Sequence, residues 1–213
     1  MTIYYLFICK MAASKEEPKL IKGMIPKGPP WNVLSNLKDK SLDELQKLYC
    51  EHMNNDKVCC LNLQINSNIG MIIRTATLFG MGEVIIIGRR KYDARATVGA
   101  DSYIPVNKIT ATLGSHHDEL DIPAIIAHIE EWSKTHQIVF IELTHDAIDF
   151  RQIKSYTGDK SVIFIMGCEN GGIPTEILAI KNTICAKIPQ KGILPCFNVS
   201  VAFSIVASMF YYG

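Results

Sequence analysis

The chain has 213 residues, of which 48% are hydrophobic and 20% are charged, as is typical of a globular protein with a buried core. Its formal net charge of +1 argues against a strongly basic nucleic-acid binder, so any such contact would need a local basic patch. Seven cysteines without a CxxC pair argue against a zinc ribbon or a disulfide framework and predict a reducing, cytoplasmic location. No apolar run reaches the ~18 residues of a membrane span, so no membrane segment is expected. The histidines show no metal-ligand spacing, so no metal site is expected either.

Residues 1–53 are predicted to form an N-terminal extension. The stretch 15–32 is rich in Pro and Gly and indicates an extended linker. A short amphipathic helix is expected over 41–54, because Ser41 is a suitable N-cap and Glu44 stands at the capping-box position.

From residue 58 onward, apolar strands alternate with helices. Strands are predicted at 58–63, 83–88, 137–143, 161–167 and 183–189, and helices at 68–80, 121–135, near 174–180 and at 198–211. This pattern predicts an α/β domain over 54–213 with a mostly parallel sheet covered by helices on both faces. Ligands of such folds bind beyond the carboxyl ends of the strands, and three groups of polar residues lie there.

The first group follows strand 58–63 in the sequence NSNIGMIIRTA. Asn68 is predicted to cap the next helix. Arg74 is the only charged residue between Lys57 and Glu83. A lone arginine is most often an exposed residue on an amphipathic face. In so apolar a stretch it also suits an anionic partner such as a phosphate or a carboxylate.

The second and third groups follow strands 161–167 and 183–189. In GCENGGIP (167–174), glycines flank Glu169 and permit tight turns and close approach of a ligand, although an ordinary strand-to-helix turn fits equally well. In IPQKGILPCFNVSVA (188–202), Asn198 opens the last helix, and taken alone it is best interpreted as an N-cap.

Together the three groups resemble, in order and spacing, the three motifs of the SpoU (TrmH) family of RNA methyltransferases in the SPOUT superfamily. The resemblance covers about 57–211, and AIDFRQI (147–153) is similar to the tRNA branch in particular. The matching residues are Asn68, Ile69, Gly70, Arg74, Thr75, Ala76, Phe79 and Gly80 in motif one, Gly167, Glu169, Gly171 or Gly172, and Ile173 in motif two, and Ile188, Pro189, Gly192 and 198–202 in motif three.

The resemblance implies a sheet whose C-terminal part forms a trefoil knot, a homodimer with the last helix at its interface, and S-adenosylmethionine as cofactor. The catalytic group implied by the motifs is Arg74, Asn68, Glu169 and Asn198. The implied cofactor contacts are Gly167, Ile188, Phe197, Cys196 and Glu142.

The implied reaction is methyl transfer to a ribose 2′-hydroxyl, in tRNA with a D-loop guanosine favoured, or alternatively in ribosomal RNA. A guanidinium is not easily deprotonated, so we interpret Arg74 as the group that binds the adjacent phosphate and orients the hydroxyl. The phosphate or Glu169 would then accept the proton.

Two departures from the family pattern bear on rate and cofactor fit. Cys196-Phe197-Asn198 stands where Ser-Leu-Asn is usual, and Gln190 stands where Met is common. Because of these departures, a non-catalytic dimer that binds RNA and cofactor remains an alternative interpretation. A third interpretation is a doubly wound small-molecule enzyme that only looks similar.

The sequence GRRKYDAR (88–95) holds the best candidate RNA contacts, although a solvated loop is the common role of such a charge run. These contacts are Arg89, Arg90, Lys91 and Arg95, to which Lys187 and Lys191 could add. No separate RNA-binding domain is evident. Recognition would therefore use this patch, the N-terminal arm or an accessory subunit.

Overall fold

The computed structural model describes residues 32–88, 91–111 and 120–213. Seven strands within these residues form one sheet in the order β3-β2-β1-β6-β4-β7-β5, and every neighbouring pair is parallel. They are β1 (Lys57–Leu61), β2 (Glu83–Ile87), β3 (Val106–Ile109), β4 (Gln137–Ile141), β5 (Ile148–Asp149), β6 (Val162–Met166) and β7 (Ile184–Lys187). The predicted α/β class with a parallel sheet is confirmed, whereas the trefoil knot remains a prediction.

The helices of the described residues surround this sheet. They are α1 (Leu42–His52), α2 (Asn66–Leu78), α3 (Ala94–Thr97), α4 (Ile122–Ser133), α5 (Ile153–Thr157), α6 (Thr175–Leu178) and α7 (Val199–Tyr212). The predicted capping box of Ser41 and Glu44 is present at α1. Gly80 closes α2 as predicted: its φ is +66°, and the N–H groups of Gly80 and Met81 donate to the carbonyls of Thr77 and Ala76. None of these helices is both long enough and apolar enough to cross a membrane.

Alternate residues of the central strands build the core on the two faces of the sheet. Val58 and Cys60 of β1 face the layer of α2 and α7, whereas Cys59 and Leu61 face the layer of α4 and α6. On the first face, the ring of Phe164 in β6 meets Phe203 and Phe210 of α7 edge to face, with centroids 6.4 and 5.3 Å apart. Burial on both faces explains the continuous apolar strands.

Helix α1 packs on this domain. Leu45 is buried, and the hydroxyl of Tyr49 donates to the carbonyl of Met81 at 2.6 Å. The side-chain amide of Gln46 donates to the carbonyl of Ser102 at 2.9 Å. The linker predicted before this helix lies largely outside the described residues, and the division at 53/54 remains a prediction.

A closed polar network ties the end of α7 to the amino ends of β1 and β6. Tyr211 donates its hydroxyl to Asp56 Oδ2 at 2.7 Å, and Asp56 Oδ1 accepts the backbone N–H of Val162 at 2.8 Å. Asn54 Nδ2 donates to the Tyr211 hydroxyl oxygen at 3.3 Å. Burial, followed by the nearby Asp56 carboxylate, raises the pKa of Tyr211. The tyrosine therefore stays protonated and serves as a donor.

Candidate active site at the carboxyl edge of the sheet

Four neighbouring strands, β1, β6, β4 and β7, end side by side and carry the three predicted groups. The loop after β1 leads into α2, the loop after β6 holds 167–174, and the loop after β7 leads into α7. Glu142 directly follows β4, between the other two loops. The sheet order therefore brings together segments that lie about a hundred residues apart in the chain.

Glu169, Asn68 and Asn198 form one hydrogen-bonded chain across these loops. Asn68 Nδ2 donates to Glu169 Oε1 at 2.8 Å, and Asn198 Nδ2 donates to Asn68 Oδ1 at 3.0 Å. Asn68 is buried, whereas Asn198 is exposed. The structure thus brings together three of the four residues predicted to be catalytic.

The prediction that Asn68 caps α2 is wrong. The helix begins at Asn66 with Ile65 as its N-cap, and no side chain from the adjoining sequence caps it. The carboxylate of Glu169 instead accepts the N–H groups of Gln64 at 2.8 Å and Ile65 at 3.3 Å. Asn68 lies inside the first turn rather than at the cap, so its side chain is available for the polar chain.

Helix capping sets the orientation of Asn198. Its Oδ1 accepts from the N–H groups of Ser200 and Val201, and from Ser200 Oγ at 2.7 Å. Its Nδ2 therefore faces Asn68. The predicted N-cap role is confirmed, and the contact with Asn68 places the same residue in the candidate site. Ser200 belongs to the residues matched to motif three, but its hydrogen bond to Asn198 was not predicted.

Glu169 is an ionised carboxylate near neutral pH. Partial burial would raise its pKa, but hydrogen bonds from the Gln64 N–H, the Asn68 side chain and further backbone N–H groups outweigh burial and lower it. A carboxylate with a lowered pKa and several bound donors is a poor proton acceptor. This geometry favours Glu169 as the residue that holds the loops and Asn68 in place.

Glu142 holds the loop after β6. Its Oε1 accepts the N–H of Leu143 at 2.9 Å, and its Oε2 accepts the N–H of Ile173 at 2.8 Å. Gly172 has φ +62°, and a Cβ there would lie 2.5 Å from Glu142 Oε2. At Gly167 a Cβ would lie 2.6 Å from the carbonyl carbon of Gly172. Glycine is therefore required at both positions by close approach.

The loop after β7 is open to solvent. Ile188 is buried at its start, whereas Cys196 and Phe197 are exposed at its end. Lys187 donates to the carbonyls of Thr144 and His145, at 2.9 Å each, and so joins β7 to the loop after β4. This bonding commits Lys187 to the protein itself, which weakens its case as an RNA contact.

Arg74 does not contact the other three predicted catalytic residues. Six residues separate it from Asn68, which places it about 120° away around the helix and nearly two turns further along. It is exposed between Met71 and Leu78, and none of the described residues gives it a hydrogen bond or an ion pair. Its guanidinium is thus available to a ligand or a partner.

The described part of the predicted RNA patch borders the start of α2. Arg89 and Arg90 lie outside the described residues, and Lys91 is exposed. Arg95 forms an ion pair with Asp93, through Nε at 3.0 Å and Nη2 at 2.9 Å, which partly neutralises its charge. The N–H of Asp93 donates to the carbonyl of Asn66 at 3.0 Å.

The part of the chain that the structure describes holds no group of three or more His, Cys, Asp or Glu side chains suited to a metal ion.

Known proteins are similar to this chain in sequence and in fold. A relative from Staphylococcus aureus (strain COL), assigned by name to the TrmH family of tRNA/rRNA methyltransferases, is 30% identical over 145 residues, 65% of this chain and 51% of that protein. The chain therefore spans about half the length of the curated relative that it matches.

Two solved structures are similar over most of the chain. An rRNA methyltransferase from Sinorhizobium meliloti with bound AdoMet is 26% identical with a TM-score of 0.59, over 78% of this chain and 59% of that one. A TrmH/SpoU tRNA modifying enzyme from A. aeolicus is 24% identical with a TM-score of 0.64, over 79% and 80% of the two chains, and supports the fold alone.

The sequence model of one family covers all three groups of site residues. The SpoU rRNA methylase family matches residues 57–208, which is more than half of the chain and agrees with the range of the resemblance. The match contradicts the interpretation of this chain as a doubly wound small-molecule enzyme that only looks similar to the family. With the parallel sheet and the polar chain at its carboxyl edge, the chain belongs to the SpoU rRNA methylase family.

Proposed function

We propose that this protein is an S-adenosylmethionine-dependent RNA methyltransferase that methylates a ribose 2′-hydroxyl. The observation that carries the proposal is the Glu169–Asn68–Asn198 chain at the edge of the sheet. Its middle member, Asn68, lies on the same helix as Arg74, which is exposed and has no partner among the described residues. Family membership supports the reaction class.

The loops around the polar chain suit S-adenosylmethionine. Gly167 lets backbone approach backbone without an intervening side chain, Gly172 leaves room for the Glu142 carboxylate, and nothing would crowd a Cβ at Gly171. Ile188 and Phe197 offer apolar surface for the adenosine, with Cys196 beside them. Glu142 keeps acceptor capacity for the ribose hydroxyls, because a carboxylate accepts about four hydrogen bonds and two are in use. The bound cofactor would supply an electrophilic methyl group on a sulfonium.

Arg74 is proposed to bind the phosphate next to the target ribose and to align the 2′-hydroxyl. The guanidinium stays protonated and matches a phosphate with two parallel N–H groups. Arg74 would hold the hydroxyl oxygen in line with the methyl group that the cofactor supplies, and the hydroxyl proton would pass to a phosphate oxygen. We prefer the phosphate to Glu169 as the acceptor, because the pKa of Glu169 is lowered and its oxygens are engaged.

A structured RNA is the proposed substrate, with tRNA and its D-loop guanosine favoured. Lys91 and Arg95, together with Arg89 and Arg90, would contact its backbone beside α2. Ribosomal RNA is the second candidate, favoured by the 26% identity to an rRNA methyltransferase. The free thiols of the cysteines in the described residues support the proposal of a reducing, cytoplasmic location.

A second copy of the chain is the proposed partner. Met71 and Leu78 of α2 are 43% and 74% exposed, and Val201 and Tyr212 of α7 are exposed beside them. The two helices meet through Thr75 and Ser204, whose hydroxyls are 3.3 Å apart. A homodimer would cover this apolar face and place Arg74 at the interface, and analytical ultracentrifugation of the full chain tests it. A monomer would favour an accessory subunit instead.

The decisive experiment measures methyl transfer from labelled S-adenosylmethionine to unmodified tRNA and ribosomal RNA fragments. We expect label at one nucleotide, which then resists alkaline cleavage. The Arg74→Ala variant should lose at least about a hundredfold in rate, because a positioned transition-state contact is worth this much, while its cofactor Kd stays near wild type.

Lys134→Ala is the control, because Lys134 is also an exposed cation but pairs with Glu131 at the end of α4, which precedes the amino end of β4 and is away from the loops of the site. It should retain activity. Loss of cofactor binding in Arg74→Ala would contradict the role given to Arg74. Cofactor binding without label on any RNA would favour the non-catalytic dimer or a missing accessory subunit.

A further inference from the structure

We propose that Gln190 is a positioning residue that orders the loop 190–197 before the cofactor binds, an inference that rests on the proposed function. This loop joins β7 to α7 and carries Cys196 and Phe197, which are proposed to contact the cofactor. Gln190 itself is half-buried, at the base of the loop.

Apolar packing does not hold this loop. Ile188 before it and Ser200 after it are buried, but every residue from 191 to 197 is exposed. The side chain of Ile193 is fully exposed at 101%, and that of Leu194 is 74% exposed. The large side chains of the loop therefore gain little from burial, which is the usual source of loop order.

Backbone hydrogen bonds do not hold the loop either. Within the ranges 32–88, 91–111 and 120–213, no backbone-to-backbone hydrogen bond involves residues 190–197. The bonds that do cross the loop come from one side chain. The side-chain amide of Gln190 faces the carbonyls of Leu194 and Pro195, and only the orientation with its nitrogen towards them gives both carbonyls a donor. In this orientation Gln190 donates to Leu194 O at 3.2 Å and to Pro195 O at 3.0 Å.

The two bonds close the loop immediately before Cys196 and Phe197. One amide group with two N–H donors satisfies two carbonyls that otherwise would face only water. A loop that is ordered in the free protein loses less conformational entropy when a ligand binds, so its ligand binds more tightly. We therefore expect Gln190 to lower the Kd for S-adenosylmethionine without taking part in the chemical step.

Gln190→Met is the sharpest substitution, because methionine has a similar length but no donor. Gln46→Met is the matched control, since Gln46 also donates its side-chain amide to a carbonyl, that of Ser102, on helix α1. Both variants lose a glutamine-to-carbonyl contact, but only one lies in the loop.

The first readout needs neither cofactor nor RNA. Limited trypsin digestion of the full chain, followed by mass spectrometry, reports opening of the loop through cleavage after Lys191. We expect Gln190→Met to be cleaved about five to ten times faster than wild type, in keeping with the loss of two ordinary hydrogen bonds, and Gln46→Met to match wild type at this bond.

The second readout is cofactor binding by calorimetry and the split between KM and kcat. Gln190→Met should raise the Kd and the KM for S-adenosylmethionine by about five- to tenfold and leave kcat at saturation unchanged. Unchanged cleavage after Lys191, or faster cleavage with an unchanged Kd, would overturn the proposal. If the wild type itself binds no S-adenosylmethionine, the proposed function fails, while the cleavage rates still report whether Gln190 orders the loop.

Discussion

The two edges of the sheet hold their polar residues in different ways. At the amino edge, Asp56, Tyr211 and the Val162 N–H form a closed network in which the carboxylate is buried and each oxygen has a donor. At the carboxyl edge, the chain from Glu169 to Asn198 ends in an exposed amide, and Arg74 has no partner among the described residues. Closed networks stabilise a fold, whereas open polar groups are available to bind.

The same helix joins the two edges. Asn198 caps the start of α7 at the carboxyl edge, and Tyr211 near its end binds Asp56 at the amino edge. Anchoring the far end of α7 therefore helps to fix the position of Asn198. The comparison predicts that changes at the amino edge lower stability first, and that changes at the carboxyl edge lower activity first.

The largest effect on stability is expected from Asp56→Ala. This substitution leaves the buried Val162 N–H without an acceptor and removes the main partner of Tyr211, which should cost about 2–4 kcal/mol in the free energy of unfolding. The corresponding drop in Tm is about 5–15 °C for a protein of this size. Thermal and urea denaturation check it.

Tyr211→Phe provides a graded control for the amino edge. It removes one hydroxyl but keeps the ring that stacks on Phe79 with centroids 5.3 Å apart, so the cost should be about 1 kcal/mol. Both variants should keep the wild-type Kd for cofactor at a temperature where they are folded. If neither Asp56→Ala nor Tyr211→Phe lowers the free energy of unfolding, the two edges do not differ in the way described.

The sequence predicted the central strands well, because Val58 to Leu61 and Val162 to Met166 are buried on both faces and read as unbroken apolar runs. It missed β3 and β5, which are the outermost strands of the sheet. Only Val106 and Ile109 of β3 are partly buried, and β5 has two residues, so neither offers an apolar run that sequence reasoning can recognise.

The site residues were predictable, but several of their roles were not. Motif spacing found Glu169, Asn68 and Asn198, and the sheet order brought them together. The hydrogen bonds that the Gln64 and Ile65 N–H groups donate to Glu169 were hidden, because they join residues more than a hundred positions apart. The cap assigned to Asn68 was wrong because α2 begins at Asn66, so that Asn68 lies inside the first turn.

A smaller effect, on activity alone, is expected from Asn198→Asp. An aspartate still caps α7, but it places an oxygen that cannot donate against Asn68 Oδ1. We expect methyl transfer to fall by about tenfold or more while the Tm shifts by no more than about 3 °C. Asn198→Ala, which also loses the cap, should cost a further ~1 kcal/mol of stability. Full activity in Asn198→Asp would show that the amide donor is dispensable.

The smallest effect concerns the pH dependence of stability at the carboxyl edge. Because the folded-state pKa of Glu169 is lowered, its contribution to stability is fully present above the ordinary glutamate pKa of 4.5 and is lost as the pH falls through the lowered value. The difference in unfolding free energy between wild type and Glu169→Gln should therefore be constant at neutral pH and shrink below about 4.5. The carboxylate is partly open to solvent, so the change is modest. Urea denaturation of both proteins across this range measures it, and a difference that grows on acidification would contradict the lowered pKa.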